Sequence, residues 1–264
     1  MSARASSVRV DADARLVVQV WLGTRLLLLI TAVLVALRTG RRLPNLLGNW
    51  DVAHFVAIAK NGYAVQTDMA FFPGLPLVLS LAYRVGADPV IWGTVLALVT
   101  SALATWALYR IGGRWGAIAW LLAPTSVFTL VPYSESPFCA AAFWAWERAT
   151  RKHWGAAAVL AGLACTLRVS GLFLVGALAV LAVSQAWTAR RASGLVRSLP
   201  WLLLPLGVLA SYAVYLYGRT GSWTAWFSAQ AAGWKREFTW PWDCVRNSWR
   251  SLQPGMYADH PEWV

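Results

Sequence analysis

Charge is what this chain of 264 residues has least of: 13% of it is Asp, Glu, Lys or Arg. A soluble domain carries about 25%. With 58% hydrophobic residues and a mean hydropathy of +0.52, the shortage excludes a surface that faces water all round, and a disordered chain as well. Acidic residues are scarcest, 11 against 23 basic ones, for a net charge of +12. Cysteine is scarce too. Cys139, Cys165 and Cys244 are too few and too scattered for a disulfide framework or a zinc site. Internal repeats, low-complexity tracts and Gly-rich phosphate loops are missing. What the chain has in quantity is long apolar runs and 18 tryptophans. It reads as an all-α integral membrane protein, in which basic residues mark cytoplasmic loops and lipid headgroups and call for no nucleic acid.

Residues 16–37 form an apolar run interrupted only by Arg25, long enough to cross about 30 Å of hydrocarbon. Further runs occupy 89–109, 115–131, 133–147 and 198–217. The stretch 154–187 is too long for one crossing and is read as two short spans meeting at Arg168-Val169-Ser170-Gly171. Residues 71–86 start with two prolines and have a short apolar core, so they fit either a span or an interfacial helix. Charge separates the two. With 71–86 on the surface, the segments 1–15, 110–114, 148–153 and 188–197 hold 11 basic residues in 36 positions, against 10 in 102 for the opposite side. The positive-inside bias then predicts a cytoplasmic N-terminus and about seven spans, with two short interfacial helices in an extracytoplasmic loop, 38–88. A cytoplasmic tail (1–15), a membrane module (16–217) and an outer segment (218–264) follow from this, in the plasma membrane.

The polar residues that remain collect on the outer side. Asp51 and His54 are three apart on a short predicted helix, so they share a face. Phe71 and Phe72 open the second surface helix, Tyr133, Ser134 and Glu135 join two spans, and Arg168 sits at the hinge. Bland roles exist for each: a helix cap for Asp51, a structural His54, a Glu135–Arg168 pair acting as glue, a snorkelling Arg25. Convergence on one face is the feature such roles leave unexplained. No metal is expected, because no ligand cluster is present.

The blocks Trp50-Asp51-Val52-Ala53-His54 through Gly62-Tyr63, Phe71-Phe72-Pro73-Gly74-Leu75-Pro76, Tyr133-Ser134-Glu135-Ser136-Pro137-Phe138 and Thr166-Leu167-Arg168-Val169-Ser170-Gly171 resemble, in order, the motifs of the GPI mannosyltransferase II (PIG-V-type) family, within the GT-C superfamily. Ala225 to Gln230 with Trp234 is similar to the family's next, looser motif. The hinge departs from the family's Arg-Ser-Asn-Gly, so only Arg168 and Gly171 carry over there. The resemblance implies transfer of mannose from a polyprenyl-phosphate-sugar donor at the extracytoplasmic face. It implies a glycolipid or lipoglycan acceptor, and no cofactor beyond the donor itself. Family members continue with further spans, so the chain is expected to be a C-terminally shortened member; its preference for Arg over Lys suggests a bacterial gene.

On this reading Asp51 is the general base, and His54 and Arg168 contact the donor phosphate. Glu135 and Tyr133 orient sugar or acceptor, and Phe71, Phe72 and nearby spans carry the polyprenyl tail. Trp50, Tyr63, Ser134 and Gln230 complete the expected substrate contacts. The rival readings are a non-catalytic membrane subunit, with a partner chain, and a transporter. An intact Asp51/His54/Glu135 pocket favours the enzyme.

Overall fold

The computed structural model describes residues 2–190, 193–236 and 239–253. Arg191 and the terminal Glu262-Trp263-Val264 lie outside them. Among the described residues every regular element is helical. The helices are α1 (Ser2–Thr39), α2 (Leu43–Leu47), α3 (Asp51–Asn61), α4 (Gly74–Arg84), α5 (Pro89–Leu121), α6 (Glu135–Thr150), α7 (Trp154–Leu167), α8 (Gly171–Thr188), α9 (Ser193–Ser198), α10 (Leu203–Thr220), α11 (Ala225–Trp234) and α12 (Pro241–Arg250). Four stretches are long and apolar enough to cross a membrane: Ala12–Thr39, Pro89–Leu121, Gly171–Thr188 and Ser193–Thr220; Trp154–Leu167 is apolar but shorter.

α1 shows why lipid, not water, surrounds this bundle. Leu22, Leu26, Leu27, Leu34 and Leu37 are exposed, which is neutral against acyl chains and unfavourable against water. Two of its polar side chains turn inward instead. Trp21 Nε1 donates to Ser101 Oγ at 3.0 Å, and the buried Arg25 donates to the Ser126 carbonyl and to Thr129 Oγ1.

α5 starts at Pro89 under Asp88, whose carboxylate accepts from Val90 N and Ile91 N at 2.8 and 3.3 Å. It breaks at Gly113, whose φ of 68° suits glycine. The expected span 115–131 is then a short helical stretch, a 3-10 turn (Pro124–Thr129) and a further turn at Leu130 and Val131. Arg114 pairs with Asp13, Thr129 with Arg25, and Pro132 lies against Gly93 near the start of α5. The segment therefore travels back along α1 despite its break. Pro124 ends the helix by removing an N–H donor, and Arg25 takes up a carbonyl freed beyond it.

Small residues bring the central helices together. Ala145 and Ala149 of α6, and Ala157, Ala158, Ala161 and Ala164 of α7, are fully buried. A Cβ on Gly162 would come within 2.7 Å of Leu204 Cδ2. Without a hydrophobic drive between helices in lipid, such close approach supplies the packing. A second, aromatic cluster gathers Phe55, Tyr63, Phe71, Phe72, Tyr133 and Tyr212 around α3 and α4. The loop 38–88 holds three helices and a 3-10 turn (Gln66–Ala70), rather than the two helices expected.

Candidate active site

α3 owes its position to two backbone features. Trp50 adopts φ 54°, ψ −129°, sparsely populated for a bulky residue and costing about 1–3 kcal/mol, and it turns the chain so that Asp51 starts the helix. Gly62, at φ 70°, ends it. The following loop is pinned through its carbonyls. Tyr63 Oη and Tyr212 Oη donate to Phe71 O at 2.9 and 2.8 Å, Trp226 Nε1 to Ala70 O at 3.1 Å, and Arg219 Nη2 to Tyr63 O at 2.9 Å. Gly74 then packs on the end of α7, where a Cβ would lie 2.5 Å from Thr166 Oγ1 and 2.7 Å from the Thr166 carbonyl. Any larger residue there would push the loop off the hinge.

These contacts bring four distant segments onto one cavity of about 180 Å³. Asp51, Phe71 and Phe72, Ser134, Arg168 and Gln230 all line it, with Trp226, Trp234 and Arg236 of the α11 region closing it. Three helix N-termini meet there, since Asp51 opens α3 while Ser134 and Ser170 are the N-caps of α6 and α8. Their dipoles add positive potential to that of the two arginines, a setting suited to an anion.

The carboxylates differ in what holds them. Burial pushes the Asp51 carboxyl above the usual aspartate range, and the charges of His54, Arg168 and Arg236 pull it back. Glu135 Oε1 lies 2.5 Å from Arg168 Nη1, which also donates to Ser134 Oγ at 3.1 Å; Glu135 Oε2 is buried without a partner. Burial, with the Asp51 charge next, pushes the Tyr133 phenol up to about 12.

His54 takes a different course from the one expected. Its Nδ1 is 3.0 Å from Oδ1 of the buried Asp68, and its ring stacks on Phe71 at 4.9 Å, so it stands behind the cavity wall. Trp50 is 78% exposed and points away, and Tyr63 serves the loop. Asp68 and Arg236 are not among the residues expected from the sequence. Asp68 had one signal, a carboxylate between the Gly62-Tyr63 and Phe71-Phe72 blocks; Arg236 had none.

The fold and composition define a multi-pass helical membrane protein with a charged, aromatic-walled cavity at one end of its bundle. A family model described as "Mannosyltransferase (PIG-V)" matches residues 22–216, and the chain belongs to that family. Among curated proteins it is similar to GPI alpha-1,6-mannosyltransferase 2 of Mus musculus, 30% identical over 149 residues that cover 49% of this chain and 30% of the mouse protein. The Homo sapiens protein of that name is 30% identical over 150 residues, with 49% and 30% covered. GPI mannosyltransferase 2 of Schizosaccharomyces pombe is 30% identical over 137, with 47% and 29% covered. The chain thus matches about 30% of the length of these relatives. No solved structure matches it. The residues Ala225 to Gln230 fall beyond the matched range, yet α11 completes the cavity.

Proposed function

We propose that the chain carries the catalytic end of a membrane mannosyltransferase, which moves mannose from a polyprenyl-phosphate donor to a hydroxyl of a glycolipid or lipoglycan. The observation that carries this reading is the shared cavity. A carboxylate with a raised pKa, two guanidiniums and three helix N-termini face one space, beside aromatic walls that suit an isoprenoid. The acceptor oxygen attacks C1 of the sugar while Asp51 takes its proton. The bond from C1 to the phosphate oxygen breaks, and polyprenyl phosphate leaves with the electron pair. One displacement inverts the anomeric centre. Arg168 and Arg236 hold the departing phosphate, and Phe71 and Phe72 carry the first isoprene units. Glu135 acts through Arg168, whose guanidinium it fixes, while Ser134 and Gln230 face the sugar and Tyr133 stands beside Asp51. His54, oriented by Asp68, backs the Phe71 ring from behind the cavity wall. The basic segments at the other end of the bundle support an extracytoplasmic site in a plasma membrane.

The test follows labelled mannose from polyprenyl-phosphate-mannose in membranes carrying the chain. Asp51→Asn should lower transfer by at least about 100-fold, the scale of a general base. The wild-type rate should fall with acid along a limb whose midpoint lies above the ordinary aspartate value of 3.8, because Asp51 acts only when ionised. An Asp51→Asn chain as fast as wild type would refute the assignment of the base. A wild-type chain that transfers nothing, alone or with donor in excess, would leave the non-catalytic subunit as the better reading.

A further inference from the structure

Phe72 separates two cavities, and the proposed chemistry uses one of them. The other, of about 480 Å³, lies between α3, α4, α7 and α10. That is within the range of about 300–1,000 Å³ typical of ligand sites. Ile58, Pro76, Leu77 and Val208 give it apolar walls, and no carboxylate lines it. Lys60 and Arg84, in the last turns of α3 and α4, do line it. Among the described residues neither cation has an ion-pair partner; Lys60 Nζ stands 5.4 Å from the centre of the Tyr83 ring.

The surroundings say what kind of molecule reaches it. Leu77 and Leu81 are each 61% exposed and Val85 81%, so the outer face of α4 is built for acyl chains, with Arg84 reaching toward headgroups. A soluble anion would meet two cations but leave the apolar volume empty. We propose that this cavity binds an anionic phospholipid of the bilayer, one acyl chain inside and its phosphate between Lys60 and Arg84. Lys60 lies on the same helix as Asp51, about 14 Å away at 1.5 Å per residue, and α4 leads from the Gly74–Thr166 contact. A bound lipid would therefore steady the hairpin that presents the proposed base, without entering the reaction.

The experiment measures binding to the detergent-purified chain by quenching of tryptophan fluorescence with brominated lipids. It compares phosphatidylglycerol with phosphatidylcholine of the same acyl chains. Wild type should prefer phosphatidylglycerol by at least about tenfold, a scale two interfacial cations supply. Lys60→Ala with Arg84→Ala should abolish that preference, and Val208→Trp, which fills the cavity, should weaken both lipids. Equal binding of the two lipids by wild type would overturn the proposal. So would a double variant that melts earlier yet keeps the preference, since the cations would then serve only the helix C-termini. Competition by glycerol phosphate as effective as by phosphatidylglycerol would assign the site to a soluble anion instead. None of these readouts requires mannose transfer, so their failure is separate from failure of the enzymatic reading.

Discussion

α6 carries a glutamate near each end, and the two surroundings are opposites. Glu147, 2% exposed, is held by three arginines: Arg110 Nε at 2.8 Å, Arg148 Nε at 2.5 Å and Arg151 Nε at 2.8 Å. Trp144 lies under two of those guanidiniums. Glu135, 12 residues earlier and about 18 Å up the helix, has one partner, Arg168, and one buried oxygen with none. A buried charge is tolerable where partners replace its water, and the lower end of α6 meets that condition in full. The upper end leaves one buried carboxylate oxygen without a partner. The same residue type is thus fully partnered at one end of the bundle and half-partnered at the other.

The sharpest way to break this contrast is Glu147→Gln. The variant should lose about 3 kcal/mol of stability, the low side of the cost of breaking a buried pair, because the three arginines keep some access to water. Thermal melting in detergent measures the loss. Mannose transfer per folded molecule should stay near wild type. A variant of wild-type stability but crippled turnover would reverse the roles of the two ends.

A smaller effect is expected at the upper end from Arg168→Lys. The ammonium keeps the charge but gives up the planar fork that meets Glu135 Oε1 and Ser134 Oγ together. KM for the donor should rise about tenfold, the scale of one charge-assisted hydrogen bond, with melting little changed. If the variant instead melts like Glu147→Gln and binds donor normally, Arg168 is structural glue and the upper end differs from the lower only in degree.

Why these two ends were unequally legible in the sequence is a matter of range. The helical class, the membrane setting and the placing of Asp51, Glu135 and Arg168 on one side follow from local composition and charge bias, so they can be read along the chain; Gln230 enters only through the family resemblance. The turning of His54 toward Asp68 depends on the 3-10 turn at Gln66–Ala70, which packs on α11 more than 150 residues away in the chain. The break after Leu121 has a local cause in Pro124, but the carbonyl of Ser126 finds its partner only in Arg25, across the bundle. Nothing local to Glu147 says that Arg110 will reach it from α5. Trp50 departs from the expected substrate contact for the opposite reason: its neighbour Asp51 faces the cavity, and a positive φ sends the indole outward.

The smallest predicted effect isolates burial from charge. Arg114 Nη1 and Asp13 Oδ1 form an ion pair at 2.6 Å at the same end of the bundle as Glu147, but with side chains 40% and 27% exposed. Water still solvates both ions, so their attraction is screened and the ordering of two long side chains offsets part of it. Asp13→Asn should therefore lower stability by no more than about 1 kcal/mol, and the loss should shrink further in 1 M salt, where the Debye length is about 3 Å. Melting of wild type and variant at low and high salt reads both quantities, alongside Glu147→Gln, whose loss should persist in salt because its carboxylate is out of reach of the ions. An Asp13→Asn loss as large and as salt-resistant as that of Glu147→Gln would show that the part of α5 beyond Gly113 is held by this pair. The lower end of the bundle would then owe its rigidity to the α1–α5 contact, and not to the buried carboxylate on α6.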